Sequence, residues 1–377
     1  MLTRDPRVAV LDIGDSTRIA PPAWHAVRDF CDRWHIPIVS VAPGAGPADL
    51  EAAARALAGM ESVAVFACPD PNIRLACTVL ESALGPSSTA GFLGLLDKGR
   101  TRDLCEAAGV LVPRGLHGAG GSLTPRAVEL LAQAGRVVVK HSRGYGGDDV
   151  SMIDEEAELV RHLEADDDVV VEEFLAGEEF SVEAVCGDTG PDIVGWVSKG
   201  RTDDGGHPLD RVRFAPAETV PSVLSTPCER LMQASSYRGI VEMELVVADQ
   251  RAYVLECNPR TSGVTPLLHF TGRGSSQLRL LSSLCGVDLP QGEGTAAVDY
   301  PLADGEPRLR GDRAHLAHPP DAPETRAYLW GTPHDLHRRL ADFDLGRATE
   351  LAARMEAVDS LVPDVPEVPE VSVGVQG

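Results

Sequence analysis

Short apolar runs alternate with amphipathic stretches in the N-terminal part of the chain. The apolar runs predict buried parallel strands at Arg7–Ile13, Ile36–Val41 and Ser62–Ala67. Helical patterns alternate with these strands at about Ala23–Trp34, Pro47–Met60 and Asn72–Leu84. This order is typical of a small open α/β domain. Because the segment has no Gly-x-Gly-x-x-Gly fingerprint, we do not expect it to bind a dinucleotide.

A glycine-rich loop lies between two further predicted strands. Arg136–Lys140 predicts a strand that ends on a lysine, and Val150–Ile153 predicts the returning strand. Gly144, Gly146 and Gly147 lie between them, where backbone N–H groups can approach phosphate oxygens closely. A Walker loop instead joins a strand to a helix and carries Gly-Lys-Ser/Thr, a tripeptide that this sequence lacks. The loop is a candidate phosphate site, with a plain flexible turn as the alternative.

A predicted hairpin, Val241–Val247 with Ala252–Asn258, gathers polar side chains on one face. If Glu244 lies opposite Glu256, that face also carries Glu242 and Asn258. The other face then carries the residues Met243, Leu245, Val247, Tyr253, Leu255 and Cys257. Like charges that face each other across strands are destabilising, and oxygen ligands suit a hard ion such as Mg²⁺ or Mn²⁺. The hairpin therefore predicts a metal site, with a solvated sheet face as the alternative.

Lysine is rare in this chain, with only three among 34 basic residues. Lys98, Lys140 and Lys199 all lie in segments with nucleotide-binding character. Because a compact ammonium cannot be replaced by the planar fork of arginine, all three are candidate site residues. A coding bias against lysine is the alternative. Lys199 lies where a strand runs into a polar turn, so a solvated hairpin edge also competes with a role in the site.

Composition narrows the classes of function. The net charge of −23 argues against nucleic acid and against an anionic membrane surface as partners. The eight cysteines form no Cys-x-x-Cys pair, so we expect reduced thiols rather than a zinc site or disulfides. No apolar run reaches transmembrane length, and the N-terminus lacks a signal-peptide core. These features predict a cytoplasmic metabolic enzyme.

Four motifs follow one another in a specific order. They are Asp97–Arg102 with Ala108–Pro113, Val139–Lys140 with the glycine-rich loop, Val171–Phe180, and Leu255–Arg260. In this order and spacing they resemble the ATP-grasp superfamily, nearest to the carboxylate–amine ligase branch that includes L-amino-acid ligases. The resemblance covers about residues 97–266. It implies an α/β ATP-grasp fold with an N-terminal open α/β domain, a small lid subdomain and a larger central α+β domain.

The resemblance implies a nucleotide-binding set. Its members would contact ATP and are Lys98, Lys140, Gly144, Gly146, Gly147, Glu172, Glu173, Leu175 and Glu179. Glu172 would face the adenine amino group, and the backbone of Glu173 and Leu175 would pair with the ring edge. Glu179 would accept hydrogen bonds from the ribose, while the two lysines would contact phosphates.

The resemblance also implies metal ligands and catalytic residues. Glu244 and Glu256 would bind Mg²⁺ or Mn²⁺, with Asn258 as a further oxygen ligand. Arg260 would lie against the transferring phosphoryl group or the acyl phosphate. The implied catalytic residues are Arg260, Lys140 and Lys199. Such a set is coherent because phosphoryl transfer requires in-line placement and charge neutralisation more than covalent help.

Some positions depart from the family or stay open. Position 141 is His where many members have proline or a small residue, and Cys257 in the metal motif is interpreted as a core residue. Either Arg213 or Arg260 would hold the carboxylate of the substrate, and the sequence does not choose between them.

The predicted domains follow from the motifs and from the weaker signals beyond them. They are an N-terminal domain at 1–88, an ATP-grasp core at 89–290 with a lid at about 112–172, a C-terminal α+β segment at 291–360, and a disordered tail at 361–377. Within the C-terminal segment we expect strands at Tyr300–Leu309 and Ala327–Leu329 and helices at Asp335–Phe343 and Gly346–Ala357.

The leading functional expectation is an ATP-dependent ligase that joins an acyl phosphate to an amine and releases ADP and phosphate. Its partners would be small carboxylates and amines, of which amino acids fit best, and a homodimer is compatible with this. An ATP-grasp carboxylase of the purine or biotin type is the enzymatic alternative. A nucleotide-binding regulator without chemistry is the other, although the intact motif set argues against it. Donor and acceptor identity reside in loops that vary on a shared fold.

Overall fold

A computed structural model of the chain describes residues 7–14, 21–144, 150–165, 168–188, 190–202, 211–272, 275–289, 294–302, 313–317, 326–342 and 344–361. The predicted tail at 361–377 lies outside these ranges except for its first residue.

The N-terminal strands form a three-stranded parallel sheet in the order β2-β1-β3, from β1 (Val8–Ile13), β2 (Ile38–Val41) and β3 (Ser62–Ala67). The helices of this part are α1 (Pro21–Trp34), α2 (Pro47–Leu57) and α3 (Asp70–Leu84). All six predicted elements are confirmed. Helix α3 begins two residues earlier than predicted, because Pro71 fits the first turn, where its missing N–H has no partner to lose. A 3-10 turn (Pro86–Ser88) and α4 (Ala90–Leu95) lead to α5 (Lys98–Ala107), whose N-cap Asp97 accepts from the backbone N–H of Arg100.

A second, four-stranded antiparallel sheet has the order β4-β7-β5-β6. Its strands are β4 (Gly115–Gly118), β5 (Val137–His141), β6 (Val150–Ile153) and β7 (Val169–Glu173). Helices α6 (Gly120–Ala134) and α7 (Glu156–Ala165) share one apolar core with this sheet. The predicted hairpin on either side of the glycine-rich loop is therefore present as β5 and β6.

The largest sheet has eight strands in the order β12-β11-β8-β9-β10-β13-β15-β14. They are β8 (Glu178–Gly187), β9 (Gly190–Arg201), β10 (Arg213–Ala215), β11 (Gly239–Ala248), β12 (Arg251–Asn258), β13 (Ala296–Pro301), β14 (Ala314–Ala317) and β15 (Arg326–Gly331). The associated helices are α8 (Ser222–Ser235), α9 (Thr265–Phe270), α10 (Ser276–Cys285), α11 (Pro333–Ala341) and α12 (Leu345–Asp359).

The C-terminal strands extend this sheet rather than forming one of their own. Two C-terminal helices and the strand near Ala327 are confirmed. The strand predicted at Tyr300–Leu309 begins earlier, at Ala296, and ends at Pro301. Residues 303–309 of the predicted strand lie outside the described residues.

The two faces of the large sheet differ in chemistry. One face is apolar and packs into the main core with residues such as Phe180, Val182 and Met243. Alternate residues on the same strands, such as Glu179, Ser181 and Glu242, are buried on the other face. The period of two along a strand therefore separates the core from a polar surface on which a site can be built.

Within the described ranges, no helix is both long enough and apolar enough to cross a bilayer.

Candidate active site

The candidate site lies on the polar face of the large sheet, where β8, β9, β11 and β12 run side by side. Glu244 lies opposite Glu256, and Glu242 lies opposite Asn258. Both pairs have the predicted register. Cys257, between the two polar residues of β12, is buried in the main core on the other face, as predicted.

A β-bulge follows Glu244 and changes the outer half of the hairpin. Leu245 pairs with Val254, so the register slips by one residue. Val254 consequently packs into the main core. The prediction that Tyr253 and Leu255 share that apolar face is wrong, because it assumed an unbroken alternation.

Lys199 lies between Glu179, which is predicted to bind the ribose, and Glu244, which is predicted to bind the metal. Its Nζ is 2.8 Å from Glu179 Oε1 and 3.0 Å from Glu244 Oε1. The lysine side chain is only 8% exposed, which excludes the solvated hairpin edge. Arg211 lies nearby, with Nη1 3.8 Å from Glu179 Oε2. Burial alone would lower the pKa of Lys199, but the two carboxylates raise it above its usual value.

The carboxyl groups around this lysine have opposite pKa shifts. Burial raises the pKa of Glu242 and of Glu256, and the charge of Glu244 adds to both shifts, although Lys98 opposes the one at Glu256. Burial also acts on Glu244, but Lys199 beside it holds its pKa below the usual value. The lysine ammonium groups therefore balance a face that is otherwise rich in carboxylates.

Lys98 joins the glycine-rich loop to the hairpin. It is the first residue of α5, and its Nζ donates to the carbonyl oxygen of Gly144 at 2.5 Å. The same Nζ is 3.4 Å from Glu256 Oε2. Gly146 and Gly147, the other glycines predicted to contact phosphate, lie outside the described residues.

Lys140 joins the small sheet to the large one. Its Nζ is 2.6 Å from Glu172 Oε2 on β7 and donates to the carbonyl oxygen of Leu255 at 3.1 Å. Arg102, a residue of the first motif to which the sequence analysis gave no role, holds the other oxygen of Glu172 at 3.0 Å. Arg102 also donates to the carbonyl oxygen of Pro113. Two cations thus fix the carboxylate that was predicted to face adenine.

Glu173 and Leu175, which are predicted to pair with the adenine ring edge, lie at the end of β7 and just after it. The backbone N–H of Glu173 donates to the carbonyl oxygen of Arg114, and its carboxylate accepts from the backbone N–H of Arg114. That N–H is therefore already bonded, and pairing of the Glu173 backbone with the adenine ring edge stays a prediction. The carbonyl oxygen of Leu175 accepts from the Thr202 hydroxyl at 2.7 Å.

Arg260 is buried against the start of α3. Its Nε donates to Asp70 Oδ1 at 2.6 Å, and its Nη1 donates to the carbonyl oxygen of Thr261. The hydroxyl of Thr261 donates to the carbonyl oxygen of Ala67 at the end of β3. The segment after the metal motif therefore packs against the carboxyl ends of the N-terminal strands. The sequence gave no signal for Asp70, because its partner lies 190 residues away.

Arg213 is paired with a residue of the C-terminal strands. Its Nε is 2.9 Å from Asp299 Oδ1, and its Nη2 donates to the carbonyl oxygen of Gly263 at 2.9 Å. Arg326 contacts both oxygens of Asp299 at 3.1 Å and donates to the carbonyl oxygen of Arg211. Burial alone would raise the pKa of Asp299, but the two arginines hold it below its usual value. Both arginines considered for the substrate carboxylate thus already contact an aspartate.

Glu183 is a buried acid that the sequence analysis did not select. It lies opposite Glu242 on the polar face, and its Oε2 accepts from the hydroxyl of Thr265. Burial raises the pKa of Glu183 to about 7. The same Thr265 hydroxyl accepts from the backbone N–H of Ser262, so Glu183 supports the segment that follows Arg260.

Among the residues that the structure describes, no three or more histidine, cysteine, aspartate or glutamate side chains converge as a metal site. The predicted set is chemically different, since it consists of Glu244, Glu256 and the amide of Asn258. Asn258 donates through Nδ2 to Glu242 Oε2 at 3.4 Å, which directs its amide oxygen elsewhere. These oxygen donors fit Mg²⁺, which usually completes its sphere with waters and substrate phosphates.

Comparison with known proteins agrees with this geometry. Residues 96–264 match the family model described as an ATP-grasp domain. This part of the chain is an ATP-grasp domain. The predicted family resemblance and the predicted fold are confirmed. All four motifs, from Asp97 to Arg260, lie within the matched residues.

A stretch of 162 residues is 28% identical to a carbamoyl-phosphate synthase from Methanobrevibacter smithii, covering 40% of this chain and 42% of that protein. The match therefore spans less than half the length of this relative.

Several solved structures resemble nearly the whole chain. A biotin carboxylase from Campylobacter jejuni, in its β-γ-ATP complex, has a TM-score of 0.67 at 12% identity and covers 93% of this chain and 96% of its own. An L-amino acid ligase from Bacillus licheniformis has a TM-score of 0.65 at 15% identity, with 89% and 97% covered. At these identities the likeness extends to the fold alone.

Proposed function

We propose that this protein is an ATP-dependent carboxylate–amine ligase that forms an amide or peptide bond through an acyl phosphate and releases ADP and phosphate. One observation carries the proposal. Each of the three lysine side chains is at most 9% exposed and is paired with a glutamate predicted for the site, namely Lys98 with Glu256, Lys140 with Glu172, and Lys199 with Glu179 and Glu244. A coding bias has no reason to place every lysine in one site.

The nucleotide would lie between the small sheet and the polar face of the large sheet. Glu172 is held in place by Arg102 and Lys140, and its carboxylate oxygens are acceptors, which suits the amino group of adenine. Glu179 would accept from the ribose. Lys98, which already donates to the backbone of Gly144, would contact phosphates together with the glycine-rich loop.

Mg²⁺ would be held by Glu244, Glu256 and Asn258, and it would neutralise charge on the transferring phosphoryl group when bound. For Mg²⁺ to bind, the ammonium groups of Lys98 and Lys199 must give up part of their contact with these carboxylates. Both lysines would then be available to phosphate or acyl oxygens. This exchange is consistent with a site that binds metal and nucleotide together.

The substrates would be a small carboxylic acid, with amino acids as the first choice, and an amine. Support for an amine acceptor comes from the structural likeness to an L-amino acid ligase. Arg260 would lie against the acyl phosphate, because it follows the predicted metal ligand Asn258 by two residues and is held in the interior of the protein.

The proposal is tested by screening pairs of amino acids for ATP-dependent phosphate release, with Mg²⁺ and with Mn²⁺. For each active acid, hydroxylamine should replace the amine and yield a hydroxamate, because an acyl phosphate acylates it directly. Formation of AMP and pyrophosphate would contradict the proposal. The matched control is Glu256→Gln, which should release no phosphate above background.

A carboxylase of the biotin or purine type is the second candidate, supported by the TM-score to biotin carboxylase. The two candidates differ in the acid that is activated. If phosphate release depends on bicarbonate and no organic acid supports it, the carboxylase is the correct assignment.

A further inference from the structure

An aspartate outside the ATP-grasp match reaches into the candidate site. Asp70 is the first residue of α3 in the N-terminal domain, and its Oδ1 accepts from Arg260 Nε at 2.6 Å. Both side chains are buried, at 7% and 6% exposure. The pair therefore lies in an environment in which a charge-assisted hydrogen bond is strong and holds its geometry.

The surroundings of the pair fix Arg260 from one side. Arg260 Nη1 donates to the carbonyl oxygen of Thr261 and lies 3.7 Å from Cys68 Sγ, two residues before Asp70. Thr261 in turn donates to the carbonyl oxygen of Ala67. A guanidinium is planar, so contacts through Nε and Nη1 determine where the whole group points.

The aspartate also lies close to the predicted metal hairpin. Burial raises the pKa of Glu256, the charges of Glu244 and Asp70 add to that rise, and the neighbouring lysines oppose it. An acid in the first turn of a helix often serves only the helix dipole. Asp49 is an example of such an acid, since it lies exposed in the first turn of α2. Asp70 differs because it is buried against a predicted catalytic arginine.

We propose that Asp70 is a positioning residue for Arg260, so that the N-terminal domain takes part in phosphoryl or acyl transfer by orienting this guanidinium. The inference rests on the proposed function, in which Arg260 contacts the reacting group. It assigns a role in the reaction to a domain that lies outside the matched family residues.

The test is a double-mutant cycle with Asp70→Ala, Arg260→Ala and the double variant. The rates measured are hydroxamate formation and the slow hydrolysis of Mg·ATP by water. Asp70→Ala should lower kcat about tenfold or more, and the same change in the Arg260→Ala background should cost less than about twofold. The Kd for a non-hydrolysable Mg·ATP analogue should stay within about twofold of wild type, because the nucleotide contacts are untouched.

Further variants separate positioning from folding. Asp70→Asn keeps the size and one acceptor oxygen, so it should fold and show a smaller loss than Asp70→Ala. Asp70→Glu restores the charge and should recover part of the rate. Asp49→Ala is the matched control and should leave kcat unchanged. A merely structural contact would lower the melting temperature without changing kcat per folded molecule.

Two outcomes would overturn the inference. One is wild-type kcat in Asp70→Ala, and the other is equal loss from Asp70→Ala with and without Arg260. If no acid yields a hydroxamate, the proposed ligase function fails, but the cycle is still determined from ATP hydrolysis. The two failures are therefore distinguishable.

Discussion

Replacing Lys199 by methionine tests the electrostatics of the site most severely. The variant keeps the approximate length and apolar stem of the side chain but removes the ammonium that lies 2.8 Å from Glu179 and 3.0 Å from Glu244. At an effective dielectric constant of about 20, each contact corresponds to about 6 kcal/mol of attraction before the cost of burying the charge is subtracted. Removing one partner of a buried ion pair typically costs about 3–5 kcal/mol.

We expect the lower end of that range, about 3 kcal/mol, because Glu179 keeps Arg211 at 3.8 Å. The assay is urea unfolding of wild type and Lys199→Met with and without saturating Mg²⁺. Mg²⁺ should recover more free energy of unfolding in the variant than in wild type, since a cation at Glu244 replaces the missing ammonium.

The matched control is Arg136→Met. Arg136 Nε lies 2.5 Å from Asp154 Oδ1, but the two side chains are 45% and 52% exposed. Solvent screening should leave this variant close to wild type, with no response to Mg²⁺ beyond that of wild type. A loss in Lys199→Met no larger than in this control, or an equal response to Mg²⁺, would refute the argument.

Three further predictions concern single residues. Burial raises the pKa of Glu183 to about 7, so the folded state holds a proton that the unfolded state releases, and the free energy of unfolding should fall by on the order of 3 kcal/mol between pH about 4.5 and about 7. In thermal melts Glu183→Gln should lose this dependence of stability on pH, and the same pH dependence as in wild type would contradict the prediction. Lys140→Arg keeps its charge but cannot reproduce one ammonium between Glu172 and a phosphate, so steady-state kinetics should show kcat and kcat/KM falling together by about a hundredfold or more; wild-type kinetics would show that a cation alone suffices. Glu256→Gln should abolish turnover and leave the apo protein nearly as stable, because repulsion by Glu244 is relieved while Lys98 loses a partner; ordinary stabilisation by Mg·ATP in thermal melts, with full activity, would exclude the metal assignment.

The register of the metal hairpin could be predicted from the sequence because chemistry and period agreed. Pairing Glu244 with Glu256 placed every polar residue of the inner half on one face, and any slip by one residue would have buried charges in the core. The bulge after Glu244 could not be predicted, since an inserted residue changes the face without changing the composition. Tyr253 and Leu255 were misassigned for that reason.

Lysine scarcity singled out three residues that each form an ion pair with a glutamate, but it did not identify those partners. Lys140 and Glu172 lie on neighbouring strands of the small sheet, and their ion pair depends on the order of those strands. A solvated hairpin edge was an alternative for Lys199 because β10, which pairs with the neighbouring Ser198, is only three residues long. Short strands give too little periodic signal to be predicted from sequence.

The interactions of the arginines depended on long-range topology. Arg260 was expected near the reacting group, yet its contact with Asp70 joins residues 190 positions apart. Arg213 was one of two candidates for binding a substrate carboxylate, and it contacts Asp299, which comes from strands with weak sequence signals. Local pattern identifies the kind of side chain that a site needs, but tertiary packing decides which charge it meets.

The central claim, that the protein activates a carboxylate by phosphorylation, is tested most directly with an oxygen-labelled acid. The active acid, carrying ¹⁸O in its carboxylate, is incubated with the protein, Mg²⁺, ATP and amine, and the released phosphate is analysed by mass spectrometry. An acyl phosphate transfers one carboxylate oxygen to the phosphate, so our account predicts phosphate with one ¹⁸O atom for each bond formed. Unlabelled phosphate, or label found in AMP, would contradict it.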